Sequence, residues 1–211
     1  LPRRLALIAW AQQSGAAILE DDYNGEYRYA GRPLPALYGL APEGRVLYMG
    51  SFSKLLFPAL RIGYVVVPPD LAEHFAAARW LADRHSPPLE QAVLADFIEE
   101  GHFARHVRRM RTLYAERQAA LVSAAEAHLA KIVRMPACDA GLHLVGWLDD
   151  NASIDTLLHA AATSGVELTP TSWFQVGKPE RESVILGYAP FGAKQIEGAV
   201  RALARAYRDQ S

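Results

Sequence analysis

The chain has 211 residues and a mass of 23.2 kDa, which allows one ordinary domain or two small lobes. A hydrophobic share of 51% and a charged share of 21% are typical of globular proteins and exclude an intrinsically disordered chain. Basic and acidic residues number 22 and 23, so the formal net charge is -1. This balance gives no global electrostatic reason to bind nucleic acid or an anionic membrane.

A single cysteine, Cys138, excludes an internal disulfide framework and a cysteine-based zinc cluster. It fits a reducing compartment, and we expect a cytoplasmic protein. No apolar run reaches the ~18–20 residues that a membrane span requires, and no signal-peptide core follows the N-terminal charges. Because the chain lacks an initiator Met and opens directly in a helical pattern, we interpret it as part of a longer protein.

The first part of the chain alternates helical and strand-like segments, as in a doubly wound α/β sheet. Apolar spacing predicts a helix over 3–14 that ends at Gly15. Further helices are predicted to begin at Asp70, with Glu73 completing a capping box, and at Ser86. Buried strands are predicted at 16–19, 46–49 and 62–67.

After a break at Gly101, a long amphipathic helix is predicted from His102 to about Leu129. The rest resembles a small α+β lobe. Its strands are predicted at 132–135, 142–147, 166–168 and 184–188, and its helices over 154–161 and 196–207. We therefore predict two domains, 1–101 and 102–211, a layout that commonly places a ligand between lobes.

Three acids, Glu20, Asp21 and Asp22, follow the first predicted strand, and Tyr23 comes next. Ligands of open α/β sheets bind beyond the carboxyl ends of the strands, so this is a candidate site. A carboxylate there can pair with a protonated ring nitrogen, and a phenol two residues later can hydrogen-bond a ring oxygen. The alternative is that the acids only cap the next turn.

The segment Ser51, Phe52, Ser53 and Lys54 directly follows the strand predicted at 46–49. Hydroxyls beside a lysine suit a phosphate, and an amine forms a Schiff base with an aldehyde, which a guanidinium cannot do. Only 4 of the 22 basic residues of the chain are lysine. A lysine at this position is therefore more informative than it would be in a lysine-rich chain. The alternative is a surface lysine in a polar turn.

Arg61 lies seven residues beyond Lys54 and just before the next predicted strand. Its guanidinium is shaped for a bidentate grip on a phosphate dianion; the alternative is a salt bridge to a nearby acid. Together, an aldehyde-reactive lysine, an acid for a ring nitrogen and a phosphate-binding Ser/Arg set describe pyridoxal 5'-phosphate.

The strings EDDYNGEYRY, RPLPALYGL and GRVLYMGSFSKLLFPALRIGYVVVP, followed by HFARHVRRMRTLY, AGLHLVGWL and LGYAP, resemble the MocR subfamily of GntR-type bacterial transcription regulators. These proteins join a winged helix-turn-helix to a domain similar to fold-type I aminotransferases. The resemblance implies an α/β, fold-type I PLP-dependent transferase-like fold. On this basis 1–101 is the C-terminal portion of the PLP-binding large domain, and 102–211 is a linking helix with a small α+β domain.

The resemblance also implies residue roles. Lys54 would form the Schiff base (internal aldimine), Asp21 would pair with the pyridine nitrogen, and Tyr23 would contact the 3'-oxygen. The phosphate would be held by Ser51, Ser53 and Arg61. No metal site is implied. An amine or amino acid effector, a homodimer of the intact protein, and DNA binding only through an N-terminal winged helix outside this chain are implied as well.

Two departures from the family pattern matter. The DNA-binding domain and the early part of the aminotransferase-like domain are missing from this sequence, so we expect the chain alone to bind the cofactor weakly or not at all. Ile185 stands where many fold-type I aminotransferases have an arginine that grips the substrate α-carboxylate. An aliphatic side chain cannot pair with that anion, which leaves transaminase activity open and suits a sensor.

Three hypotheses follow. The first is the effector portion of a MocR-type regulator that senses cofactor or amine through Lys54. The second is a fragment of an active class I/II aminotransferase, which the presence or absence of a winged helix upstream of this chain would distinguish. The third is a degenerate scaffold without cofactor, against which the joint presence of Lys54, Asp21 and Arg61 argues.

The remaining candidates have plainer interpretations. His102 and His106 are spaced for a metal pair but stand among arginines, so we interpret them as part of a solvated basic face. His143 lies in an apolar strand and is interpreted as a core histidine. Trp173 and Phe174 either cover the site or pack against the core, and the sequence leaves this open.

Overall fold

The chain, described here from a computed structural model, divides into two units. The structure describes residues 1–22, 25–31, 34–41, 44–177 and 180–210. The first unit comprises Leu1–Glu26 and Gly31–Val107, and the second comprises Tyr27–Ala30 and Arg108–Ser211. The chain therefore passes between the units in the loop after the first strand and again inside the long helix.

The first unit is a three-stranded mixed sheet with helices. Its elements are α1 (Pro2–Ser14), β1 (Ile18–Asp22), α2 (Leu37–Leu40), β2 (Val46–Ser51), β3 (Gly63–Val66), α3 (Ala72–Asp83), α4 (Pro88–Glu99) and the start of α5 (His102–His128). The strand order is β1-β2-β3, with β1 parallel and β3 antiparallel to β2. The predicted helix α1 is confirmed, and Gly15 ends it in a left-handed conformation.

One face of this sheet carries the core of the first unit. Ile18 of β1 and Val46 of β2 pack against Ile8 and Ala11 of α1 and against Leu37. The prediction that the third strand is buried is wrong, because the residues of β3 are exposed or half-buried. The described core cluster of this unit draws on β1 and β2 and includes no residue of β3.

Gly50 of β2 lies under the ring of Tyr64, its partner on β3. A Cβ at this position would overlap that ring. We expect Gly50→Ala to lower the free energy of unfolding of the full-length protein by about 1 kcal/mol, the lower end of the cost of overpacking, because the phenol end of the 41% exposed Tyr64 side chain can move aside. Gly39→Ala is the matched control, because a Cβ at Gly39 meets nothing within 4 Å. Equal denaturation midpoints for the two variants would contradict this expectation.

Two predicted helix caps are wrong. Asp70 lies inside a short 3-10 turn, Pro69–Leu71, and α3 begins after it with Leu71 as its N-cap and no side-chain cap. Helix α4 begins at Pro88, and Ser86 accepts a hydrogen bond from Arg79 instead of capping it. The 3-10 turn already begins at Pro69, so Asp70 is inside the turn and not at its N-cap. At the second place Pro88 holds Pro87 in an extended conformation, so α4 begins one residue later than predicted.

The second unit is a four-stranded antiparallel sheet covered by helices. Its elements are the remainder of α5, then β4 (Val133–Arg134), β5 (His143–Leu148), α6 (Ile154–Ser164), β6 (Thr169–Pro170), β7 (Ser183–Gly187) and α7 (Ala193–Arg208). The strand order is β4-β5-β7-β6. Residues 166–168, predicted as a strand, precede the observed β6, so that prediction is wrong by position.

The core of the second unit is larger than that of the first. The stripe predicted on the last helix, Ile196, Val200, Leu203 and Tyr207, is buried. It packs with Leu121 of α5, Leu129 just after α5, Leu144 of β5, Leu157 of α6 and Val184 of β7. None of the helices within the described ranges is both long and apolar enough to cross a bilayer.

Segment Tyr27–Ala30 belongs to the second unit although it follows β1 in the chain. Arg28 forms a β-bridge with Ala140 and an ion pair of 3.1 Å with Asp139. The Tyr29 hydroxyl donates to the carbonyl of Gly141, and burial, with Tyr188 nearby, raises the pKa of Tyr29, so the phenol keeps its proton. The chain that leaves β1 is thus tied to the second unit by specific bonds.

Candidate functional site

The candidate residues meet at one end of the strands of the first unit's sheet, which is called the sheet edge below. Since β1 and β2 are parallel, both end at this edge, and the antiparallel β3 begins there. Asp21 pairs with Met49, and Ser51 pairs with Gly63. Residues that pair across strands, or that lie two apart on one strand, share a face, so Asp21 and Ser51 project from the same face on neighbouring strands.

The neighbouring acids have different surroundings. Asp22 accepts hydrogen bonds from the Tyr48 hydroxyl at 3.1 Å and from the Gly25 amide at 2.9 Å. Burial, and then the Asp22 carboxylate, raise the pKa of Tyr48, which keeps this phenol a donor. Asp21 is exposed, and its side chain has no hydrogen-bond or ion-pair partner within the described part of the chain. Asp22 thus has a structural role, and Asp21 is the acid left available to a ligand.

Glu20 is also committed to structure. Its carboxylate accepts from the backbone amides of Leu37 at 2.9 Å and Tyr38 at 3.1 Å, and pairs with Arg4 at 3.2 Å. It therefore holds the start of α2. The three acids lie within β1, whereas the sequence placed them after the strand; the alternative that they cap a turn applies to Glu20 and Asp22.

The segment after β2 brings the serines and the arginine together. The Phe52 amide donates to the Ile62 carbonyl at 3.0 Å, which closes the connection between β2 and β3 at its base. Ser51 and Arg61 consequently lie at the same edge of the sheet. The Ser53 amide donates to Ser51 Oγ at 3.2 Å, and that hydroxyl still has its own proton to donate.

Lys54 stands on a single helical turn at this edge. The amides of Leu55 and Leu56 donate to the Phe52 carbonyl at 3.1 and 2.9 Å. Leu55 is only 4% exposed, whereas Lys54 is exposed. Of the apolar flank only Leu55 is buried, since Leu56 is half-buried and Phe57 is 54% exposed. The lysine side chain extends outward, and no described residue forms an ion pair with it.

Arg61 has a backbone conformation rare for its type. Its φ is 50° and its ψ 31°, in the left-handed region. This region costs a residue other than glycine about 1–2 kcal/mol. Its guanidinium forms no hydrogen bond or ion pair within the ranges that the structure describes, so the alternative of a salt bridge to a nearby acid is not observed there. Strain retained at a position with a free cation is typical of a binding site.

Other candidates behave differently from their sequence interpretation. His143 is exposed on β5, because Leu144 and Leu148 take the core-facing positions of that strand; the prediction of a core histidine is wrong. Trp173 and Phe174 are 73% and 72% exposed. Tyr23 lies outside the described residues. Among the described residues no group of three or more His, Cys, Asp or Glu is placed to hold a metal ion.

Comparison with known proteins identifies the family. The model of the family "Aminotransferase class I and II" matches residues 5–202. The chain belongs to this family. It is 44% identical over 97% of its length to the probable rhizopine catabolism regulatory protein MocR of Rhizobium meliloti, and 39% identical over 98% to the uncharacterized HTH-type transcriptional regulator YhdI of Bacillus subtilis. The resemblance to MocR-type regulators is confirmed.

A solved structure supports the fold. LysN, the alpha-aminoadipate aminotransferase of Thermus thermophilus, complexed with N-(5'-phosphopyridoxyl)-L-leucine, matches 99% of this chain with a TM-score of 0.86 and 30% identity. The predicted fold-type I class is therefore confirmed. The match covers 54% of that chain, and the matches to MocR and YhdI cover 41% and 44% of those proteins. The chain thus spans about half the length of the relatives that it matches.

Proposed function

We propose that this chain is the cofactor-binding part of a bacterial MocR/GntR-type regulator that senses pyridoxal 5'-phosphate or an amine ligand. The observation that carries the proposal is the arrangement of Asp21, Ser51 and Arg61 at one sheet edge beside an exposed Lys54. The side chains of Asp21, Lys54 and Arg61 have no hydrogen-bond or ion-pair partner among the described residues. A carboxylate, an amine and a guanidinium without partners are the donor set that this cofactor requires.

When bound, the cofactor supplies an aldehyde that reacts with amines and a ring nitrogen that can carry a proton. Lys54 supplies the amine that the aldehyde would engage. The Asp21 carboxylate would accept a hydrogen bond from the protonated ring nitrogen and keep the proton on that atom. Ser51 and Ser53 would donate to the phosphate and Arg61 would neutralise its charge, while Tyr23 is proposed for the 3'-oxygen on the family resemblance alone.

A sensor, rather than an efficient transaminase, is supported by Ile185. This residue is half-buried on β7 and pairs with Val145 and Thr169 on the neighbouring strands. An aliphatic group in this setting cannot compensate the desolvation of a carboxylate. In the intact protein we propose a cytoplasmic homodimer in which an amine or amino acid effector shifts a conformational equilibrium, and a winged helix outside this chain that contacts DNA.

The second candidate is a fragment of an active aminotransferase, favoured by the 30% identity to LysN. A winged helix encoded upstream, together with DNA binding that responds to cofactor or amine, would establish the regulator. Steady transamination of amino acids by the full-length protein without specific DNA binding would establish the enzyme instead.

Lysine mapping tests the site. The full-length protein is incubated with pyridoxal 5'-phosphate and reduced with borohydride, and the modified lysine is identified by peptide mass spectrometry. We expect the label on Lys54. Label on Lys131, Lys178 or Lys194, with Lys54 unmodified, would overturn the assignment.

Arg61→Gly separates binding from stability. Glycine adopts the left-handed conformation of residue 61 without the steric cost, so we expect the free energy of unfolding of the cofactor-free protein to stay constant or rise by about 1 kcal/mol. Loss of the charged hydrogen bonds to phosphate is expected to weaken cofactor binding about 10- to 100-fold. Absorbance titration and urea denaturation measure the two effects. A less stable protein with unchanged affinity would contradict the assignment.

A further inference from the structure

The segment that carries Lys54 is held against the N-terminal part of α5. His106 Nε2 lies 2.9 Å from the carbonyl oxygen of Leu55, the residue that follows the lysine. A carbonyl can only accept a hydrogen bond, so Nε2 carries the proton and donates it. The imidazole is half-buried. The interpretation of His106 as part of a solvated basic face is therefore wrong.

A second contact holds the other side of the same segment. The rings of Phe52 and Phe103 lie 5.8 Å apart, edge to face at 71°, a favoured aromatic geometry. Phe103, His106 and the buried Val107 occur at i, i+3 and i+4, on one face of α5. Phe52 and Leu55 bracket Ser53 and Lys54 in sequence, so the helix face fixes the backbone on both sides of the lysine.

We propose that His106 is a positioning residue for Lys54. This inference rests on the proposed function, because it assigns to His106 the task of holding the lysine where the cofactor aldehyde can reach it. A lysine side chain has four rotatable bonds, so the position of its amine is defined only if the backbone that carries it is fixed. Without the donor the Leu55 carbonyl loses this hydrogen bond and the turn loses its attachment to α5. Small displacements of a reacting group cost large factors in reactivity.

The chain offers matched variants for a test. In His106→Gln the amide nitrogen stands as many bonds from Cα as Nε2 does, so the hydrogen bond can be rebuilt. His106→Asn places its amide one bond short, and His106→Leu removes the donor. His102→Gln is the control one turn earlier on the same helix, since His102 pairs with Glu100 at the surface. All variants are made in the full-length protein.

Two measurements are needed. Amide hydrogen exchange of residues 52–56 in the cofactor-free protein reports the anchoring, and the yield of borohydride-trapped Lys54 at limiting pyridoxal 5'-phosphate reports the positioning. We expect His106→Leu and His106→Asn to accelerate exchange and to reduce the trapped yield about tenfold. His106→Gln is expected to restore both within about threefold, and His102→Gln to change neither.

The outcomes separate the inference from the proposed function. If the wild-type protein itself traps no label on Lys54, the proposed function fails, whatever the variants show. The inference fails if the wild-type protein is labelled on Lys54 but His106→Leu and His106→Asn show the same amide exchange rates and the same trapped yield as the wild type. It also fails if exchange accelerates without loss of label, or if His106→Gln is as impaired as His106→Leu.

Discussion

Full-length protein carrying Lys54→Arg is expected to lose covalent attachment of pyridoxal 5'-phosphate completely. Arginine keeps the positive charge and the length of the side chain, but its guanidinium stays protonated and does not attack an aldehyde. Because residue 54 is exposed on a turn whose buried anchor is Leu55, the fold is expected to be unaffected. Borohydride trapping and visible absorbance report the covalent bond, and thermal denaturation of the cofactor-free protein reports the fold.

Lys194→Arg is the control for this prediction. Lys194 lies in the first turn of α7, in the second unit, so we expect its replacement to leave trapping unchanged. Residual trapping in the Lys54→Arg protein equal to that of the wild type would show that another amine reacts, and the site assignment would be wrong.

Asp21→Asn is expected to weaken cofactor binding about 10- to 100-fold, since a hydrogen bond to an ionised carboxylate is replaced by one to a neutral amide. Its effect on the free energy of unfolding is expected to stay within about 0.5 kcal/mol, the range for surface positions without partners. Absorbance titration and urea denaturation of the full-length protein measure both quantities.

Asp22→Asn is the matched control for Asp21→Asn and should behave in the opposite way. It disturbs the bonds from Tyr48 and Gly25, so stability falls by about 1 kcal/mol while the cofactor affinity holds. An exchange of these two phenotypes would assign the ring-nitrogen contact to Asp22 and would refute the roles given to the two acids of β1.

The local elements were largely predictable because their causes are local. The apolar spacing of α1, α5 and α7 and the short apolar runs of β2 and β7 depend on residues within a few positions of one another. The caps at Asp70 and Ser86 failed where neighbouring prolines outweighed a polar side chain. The prediction for His143 was wrong because β5 alternates between a buried and an exposed face, and His143 lies on the exposed one.

The separation of roles among the three acids could not be derived from the residues alone. Asp21 and Asp22 are adjacent and chemically identical, and which one projects beside Ser51 depends on the register of β1 against β2. The partner of Asp22 is Tyr48, 26 positions away, and the partner of His106 is Leu55, 51 positions away. No local pattern contains such pairings.

The residue types of the candidate site could be identified from the order of the amino acids: one lysine in a serine-rich turn, acids at the end of a strand, and an arginine ahead of the next strand. Three features emerge only from the folded chain: the side chain of Asp21 and not that of Asp22 is unpartnered among the described residues, Arg61 takes a left-handed conformation, and His106 holds the lysine turn. Periodicity and side-chain chemistry are encoded over a few residues, whereas strand register and hydrogen bonds between distant segments exist only once the chain has packed.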